Sequence, residues 1–150
     1  MTTAKSTITF GLSKITIEDI NAITKGQAQV SLSPDKSFKE TIEQGANFLK
    51  NLLQEDGVIY GVTTGYGDSV TEQVPLANVH ELPLHLTRFH GCGLGDTFSV
   101  EETRAILGAR LTSLTQGYSG VTWELLEQLQ TLLSHDIMPR ICLLYTSDAA

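Results

Sequence analysis

A chain of 150 residues, 41% hydrophobic and 18% charged, is long enough for one globular core and too short for two large ones, so disorder is not expected. Ten Lys and Arg against seventeen Asp and Glu leave a formal charge of -7, with the basic residues scattered, which excludes the positive surface that nucleic acids require. The only cysteines, Cys92 and Cys142, support neither a disulfide framework nor a four-ligand zinc site, and no apolar window approaches the roughly 20 residues of a membrane span or a signal-peptide core. A soluble, non-secreted, cytoplasmic protein with no membrane partner is expected.

In chain order, Ile8 and Phe10 alternate with polar residues as in a short strand, and Thr16 before Ile17-Glu18-Asp19 predicts a capped helix to about Thr24. After Gly26, Ser33-Pro34 offers an N-cap and a first-turn proline. Phe38, Ile42, Ala46, Leu49 and Leu53 then recur at helical spacing up to Glu55, before the stop at Asp56-Gly57. Val58-Ile59-Tyr60 is a short apolar, strand-like run leading into a loop with glycines at 61, 65 and 67. Leu76, Val79, Leu82, Leu86 and Phe89 predict a helix that Pro83 kinks or restarts, ended by Gly91, Gly93 and Gly95. Ser99 with Glu102 matches a capping box for a helix whose face is Leu107, Leu111 and Leu114, up to Gly117. Thr122 or Ser119 caps a last helix, with Leu125, Leu126, Leu129, Leu132 and Leu133, ending near His135. Four sizeable helices and two short strands make the class mainly α.

The glycine clusters first raise phosphate binding, because freed backbone N–H groups can surround an anion. The Walker pattern is absent, and GCGLG follows a helix and lacks the dinucleotide-loop spacing, so no nucleotide is expected. His80, His85 and His90 raise metal binding, but residues five apart on a helix point about 140° apart and no carboxylate or cysteine completes a set. No metal is expected. Histidines that face solvent or cap helix ends are the ordinary reading of this pattern.

Three strings in order carry a more specific signal: Tyr60-Gly-Val-Thr-Thr-Gly-Tyr-Gly67, Leu86-Thr-Arg-Phe-His-Gly-Cys-Gly93 and Arg110-Leu-Thr-Ser-Leu-Thr-Gln-Gly-Tyr-Ser-Gly-Val121. Together they resemble the N-terminal motifs of the histidine, phenylalanine and tyrosine ammonia-lyases, over roughly residues 6 to 141. The resemblance implies the N-terminal region of the fumarase/aspartase-like helical fold, with a small β and loop element. It implies non-hydrolytic elimination of ammonia from an aromatic L-amino acid, giving a trans-α,β-unsaturated acid, in a homotetramer. The electrophile would be a methylidene-imidazolone formed autocatalytically from an internal Ala-Ser-Gly, and the base that removes the β-proton would be Tyr60.

A free phenol has a pKa near 10, so a tyrosine base needs hydrogen-bond donors for its phenolate. Gly61, Gly65 and Gly67 form the loop and permit close approach of backbone N–H groups. Nothing in the sequence identifies a donor within this chain, and segments outside it could supply one. The ordinary alternative for Tyr60 is a buried aromatic at the end of a short strand. Tyr66 reads as a packing residue of the loop.

Phe89 and His90 fall at the family's selectivity pair, where the resemblance associates Ser-His with histidine, Phe-Leu with phenylalanine and His-Leu with tyrosine. Phe-His mixes these, and points to a ring with a polar group, histidine or a hydroxylated phenylalanine. The alternative for His90 is a cap on its helix end. Pro83 and His85 depart from the family's usual Gln and Asn. No Ala-Ser-Gly occurs in the 150 residues, and no residue of this chain is assigned to hold the cofactor. Residues 1–141 are therefore expected to be a truncated ammonia-lyase domain and 142–150 an aberrant or non-native tail, the chain alone being inactive and prone to self-association through uncovered apolar faces. Two other readings stay open: an aminomutase of the same superfamily, and a non-catalytic helical module for binding or assembly.

Overall fold

The computed structural model describes residues 5–55, 57–91 and 93–143, and all but the side chain of His90 among them. Asp56, Cys92 and the tail residues 144–150, each part of an expectation above, lie outside the described residues. The described elements are β1 (Ser6–Phe10), α1 (Ile17–Thr24), β2 (Ala28–Leu32), α2 (Lys36–Gln54), α3 (Leu82–His90), α4 (Val100–Leu114) and α5 (Trp123–Ser134), with 3-10 turns at Gly67–Thr71 and Leu76–Asn78. The chain is mainly helical, as expected. It divides into two compact units whose boundaries fall after Asn47, inside α2, and after Thr97 and Ile141.

In the first unit β1 and β2 pair in parallel, with Ile8 opposite Val30, and α1 makes the crossover that a parallel pair requires. Gly11 turns the chain out of β1 at φ +89, where a side chain would strike the Phe38 ring. Ile8, Phe10, Ile23, Val30, Ile42, Leu111, Leu114, Trp123 and Leu126 form the core. The Ser134 hydroxyl donates to the Val30 carbonyl at 3.2 Å, tying α5 to β2. Arg104 donates to Asp136 Oδ1 from Nε at 3.1 Å and to the Thr24 carbonyl at 3.3 Å, so one guanidinium joins the ends of α1 and α5.

Caps decide several boundaries. Thr16 with Asp19 and Ser99 with Glu102 are complete capping boxes, as read from sequence for Ser99. The Ser99 backbone N–H, then its hydroxyl, hold the Glu102 carboxyl below its ordinary range. Glu124, in the first turn of α5, is lowered by its own backbone N–H and by Thr122, the N-cap residue.

Several expectations need correction. Ser33 is not the cap of α2 and Pro34 is not its first residue. Ser33 accepts from the Asp35 N–H at 3.1 Å, and Asp35 caps the helix by accepting from the Ser37 N–H at 2.9 Å. The helix expected from Leu76 starts at Leu82, with Pro83 in the first turn, where its missing N–H costs nothing. Val58-Ile59-Tyr60 is not a strand, and the second strand is Ala28–Leu32 instead.

Candidate active-site loop

The second unit holds the glycine-rich loop. Gly57 ends the preceding turn by donating to the Leu52 carbonyl at 2.8 Å, and the chain turns at Gly61 with φ +69, a conformation L side chains rarely adopt. A Cβ at Gly61 would sit 2.7 Å from Tyr66 Cε1. The two ends of the loop are then zipped together: the Gly65 N–H donates to the Glu72 carbonyl at 3.0 Å and the Val74 N–H to the Thr63 carbonyl at 2.9 Å. Thr64 and Gln73 face each other across this antiparallel bridge. Between them the chain makes the 3-10 turn Gly67–Thr71, opened by Gly67 at φ +56.

This path brings Tyr60, Gly61, Tyr66 and Gly67 together. The Tyr60 ring meets the Tyr66 ring edge to face, with centroids 6.3 Å apart and planes at 87°. The Gly67 N–H donates to Tyr60 Oη at 3.1 Å. The expectation that no donor to this phenol exists within the chain is therefore corrected: the donor is a backbone N–H of the loop itself, available because the Gly67 turn points it inward. Nor is Tyr60 a buried aromatic, since it is 57% exposed. A groove of about 440 Å³ lies beside the loop, walled by Gly57, Val58, Thr63, Thr64 and the segment Gln73–Leu76.

Gly65 has no left-handed conformation, and its role is proximity: a Cβ there would stand 2.6 Å from the Ser69 carbonyl oxygen. Two threonines that the sequence reading passed over hold the loop from inside. Thr64, 4% exposed, accepts from the Gly61 N–H at 3.1 Å and donates to the Gly65 carbonyl at 3.0 Å. Thr63 accepts from the Ile59 N–H at 2.8 Å and donates to the Gly57 carbonyl at 3.1 Å. Adjacent Thr hydroxyls in a glycine-bounded turn are a readable signal for such local bonding.

Phe89 and His90 form the last turn of α3, with Gly91 as the C-cap residue. Phe89 is 82% exposed. His85 lies 3.5 Å from Glu81 one turn back on the same helix. Among the described residues no group of three His, Cys, Asp or Glu could hold a metal ion, and no helix is long and apolar enough to cross a membrane. Cys142 and Leu143, the described start of the expected tail, pair with the chain at Asp96–Thr97: Thr97 and Cys142 form an antiparallel bridge, and the Leu143 N–H donates to the Asp96 carbonyl at 2.9 Å.

Comparison with known proteins gives concordant results. The family model for aromatic amino acid lyase matches residues 15–144. A histidine ammonia-lyase of Staphylococcus aureus (strain bovine RF122 / ET3-1) is 33% identical over 127 residues, covering 85% of this chain and 25% of that protein. The human histidine ammonia-lyase is 29% identical over 128 residues, covering 85% and 19%. Among solved structures, the tyrosine aminomutase of Streptomyces globisporus superposes with a TM-score of 0.81 at 30% identity, covering 93% of this chain and 26% of that one. The chain thus spans about a quarter or less of the length of each of these relatives.

Proposed function

Because the chain belongs to the aromatic amino acid lyase family, we propose that it supplies the base-bearing loop of an enzyme that eliminates ammonia from an aromatic L-amino acid. Tyr60 takes the proton from the β-carbon, the C–N bond at the α-carbon breaks, and a trans-α,β-unsaturated acid remains. The observation that carries this reading is the Gly67 N–H donated to Tyr60 Oη, which fixes the phenol oxygen while leaving the residue exposed toward a substrate. The edge of the Tyr66 ring limits how far the Tyr60 ring can swing.

The chain's own residues do not make the electrophile. A methylidene-imidazolone requires Ala-Ser-Gly, a tripeptide these 150 residues lack, so the chain by itself is inactive. The electrophile comes from another segment of the complete enzyme, a cytoplasmic homotetramer. Phe89 and His90, at the end of α3, select a substrate ring with a polar group, histidine or tyrosine, over phenylalanine.

A second reading, an aminomutase that returns the amine at the β-carbon, is favoured by the likeness to the tyrosine aminomutase fold. Sequencing the source locus downstream of the Ile141 codon tests whether an Ala-Ser-Gly segment follows in frame. Chromatography of the complete enzyme's products from L-histidine, L-tyrosine and L-phenylalanine then decides between the readings: an unsaturated acid alone supports the lyase, a β-amino acid supports the aminomutase, and no product from any of the three overturns both.

A further inference from the structure

The two residues flanking Tyr60 each donate their backbone N–H to a different threonine. The Ile59 N–H donates to Thr63 Oγ1 at 2.8 Å and the Gly61 N–H to Thr64 Oγ1 at 3.1 Å. Each hydroxyl passes its own proton on, Thr63 to the Gly57 carbonyl and Thr64 to the Gly65 carbonyl, so both oxygens act as donor and acceptor at once. The same two residues are fixed from behind, because the Thr63 carbonyl accepts from the Val74 N–H and the amide that follows Thr64, that of Gly65, donates to Glu72.

We propose that Thr63 and Thr64 form a paired clamp that positions Tyr60, each hydroxyl holding the backbone N–H of one of its two chain neighbours; the role as positioning residues rests on the reading of Tyr60 as the base. A residue gripped on both sides has little freedom at its Cα, and its phenol then reaches the Gly67 N–H without further ordering. Removing either hydroxyl leaves an amide beside Tyr60 without its partner and lets the phenol drift from Gly67. In Thr64 the hydroxyl is nearly enclosed, so water replaces it poorly.

The test is amide hydrogen exchange, read by NMR on the whole 150-residue chain, for Gly61 and Gly67. Tyr60→Phe gives the Gly67 exchange rate when the phenol oxygen is gone. Thr64→Val, which keeps shape and loses the hydroxyl, is expected to speed exchange at Gly61 and also at Gly67 by about fivefold or more, toward the Tyr60→Phe value. Thr64→Ser, which restores the hydroxyl, is expected to stay within about twofold of the unmodified chain at both amides. The His85 amide, which donates to the Glu81 carbonyl in the same unit as the loop, reports whether that unit's fold survives. If Thr64→Val does not fold, Thr63→Val with Thr64→Ser carries the test, through Ile59 and Gly67. Faster exchange at Gly61 with Gly67 unchanged in Thr64→Val overturns the clamp, as does loss of Gly67 protection in a folded Thr64→Ser. The base reading is tested separately by turnover of Tyr60→Phe, so a failed clamp and a failed base give different results.

Discussion

The backbone N–H of Gly67 reaches the phenol oxygen of Tyr60 across seven residues of chain, at 3.1 Å. It can do so because Gly61 and Gly67 both sit at positive φ, +69 and +56, and fold the loop back on its own tyrosine. The tyrosine and the donor to its phenol oxygen are thus products of one short segment.

Gly61→Ala tests that geometry. The left-handed backbone alone costs an L residue about 1–2 kcal/mol, and the added methyl meets Tyr66 at 2.7 Å. Gly95 has φ +90 with nothing within 4 Å of a would-be Cβ, so Gly95→Ala isolates the backbone cost. Urea unfolding should show the greater loss of stability for Gly61→Ala, and equal losses would mean that Tyr66 yields freely.

Leu111→Ala probes the core of the first unit. Leu111 is fully buried in the core cluster of the first unit, and its truncation should cost about 2–5 kcal/mol, depending on how far the site collapses. Thermal or urea unfolding measures it directly, and a loss below about 1 kcal/mol would contradict this packing.

The Ser99–Glu102 capping box gives a pH dependence. Because the folded chain holds the Glu102 carboxyl below its ordinary 4.5, its contribution is fully present above that value and is lost as pH falls through the lower folded value. The stability advantage of the unmodified chain over Glu102→Gln should therefore shrink on acidification from neutral pH, measured as melting temperature against pH. Ser99→Ala should cost about 1 kcal/mol at neutral pH.

What was legible in the sequence was whatever rests on local chemistry. The Ser99 box and the Leu107, Leu111, Leu114 face placed α4, although its buried side also includes Thr103 and Gly108, which no apolar pattern marks. Gly108 is needed because α1 lies close, with Ile20 Cδ1 3.3 Å from a would-be Cβ. Strand β2 was missed although Ala28, Val30 and Leu32 alternate with Gln29 and Ser31, because its partner is β1, a non-local pairing. The Val58–Tyr60 run resembles a strand in composition, but the Ile59 N–H is taken by Thr63, so no ladder forms. For the site, the motif picked out Tyr60 and its glycines. The Gly67 donor needed three dimensions, since backbone N–H directions are not written in residue type.

The central claim is that Tyr60 is the base, and the most direct measurement is turnover of the complete enzyme carrying this segment, compared with its Tyr60→Phe variant on the preferred aromatic L-amino acid. Loss of a positioned base is expected to lower kcat by about 10²–10⁴-fold with a small change in KM. A Tyr60→Phe enzyme that keeps kcat within a few-fold of the original would contradict the account.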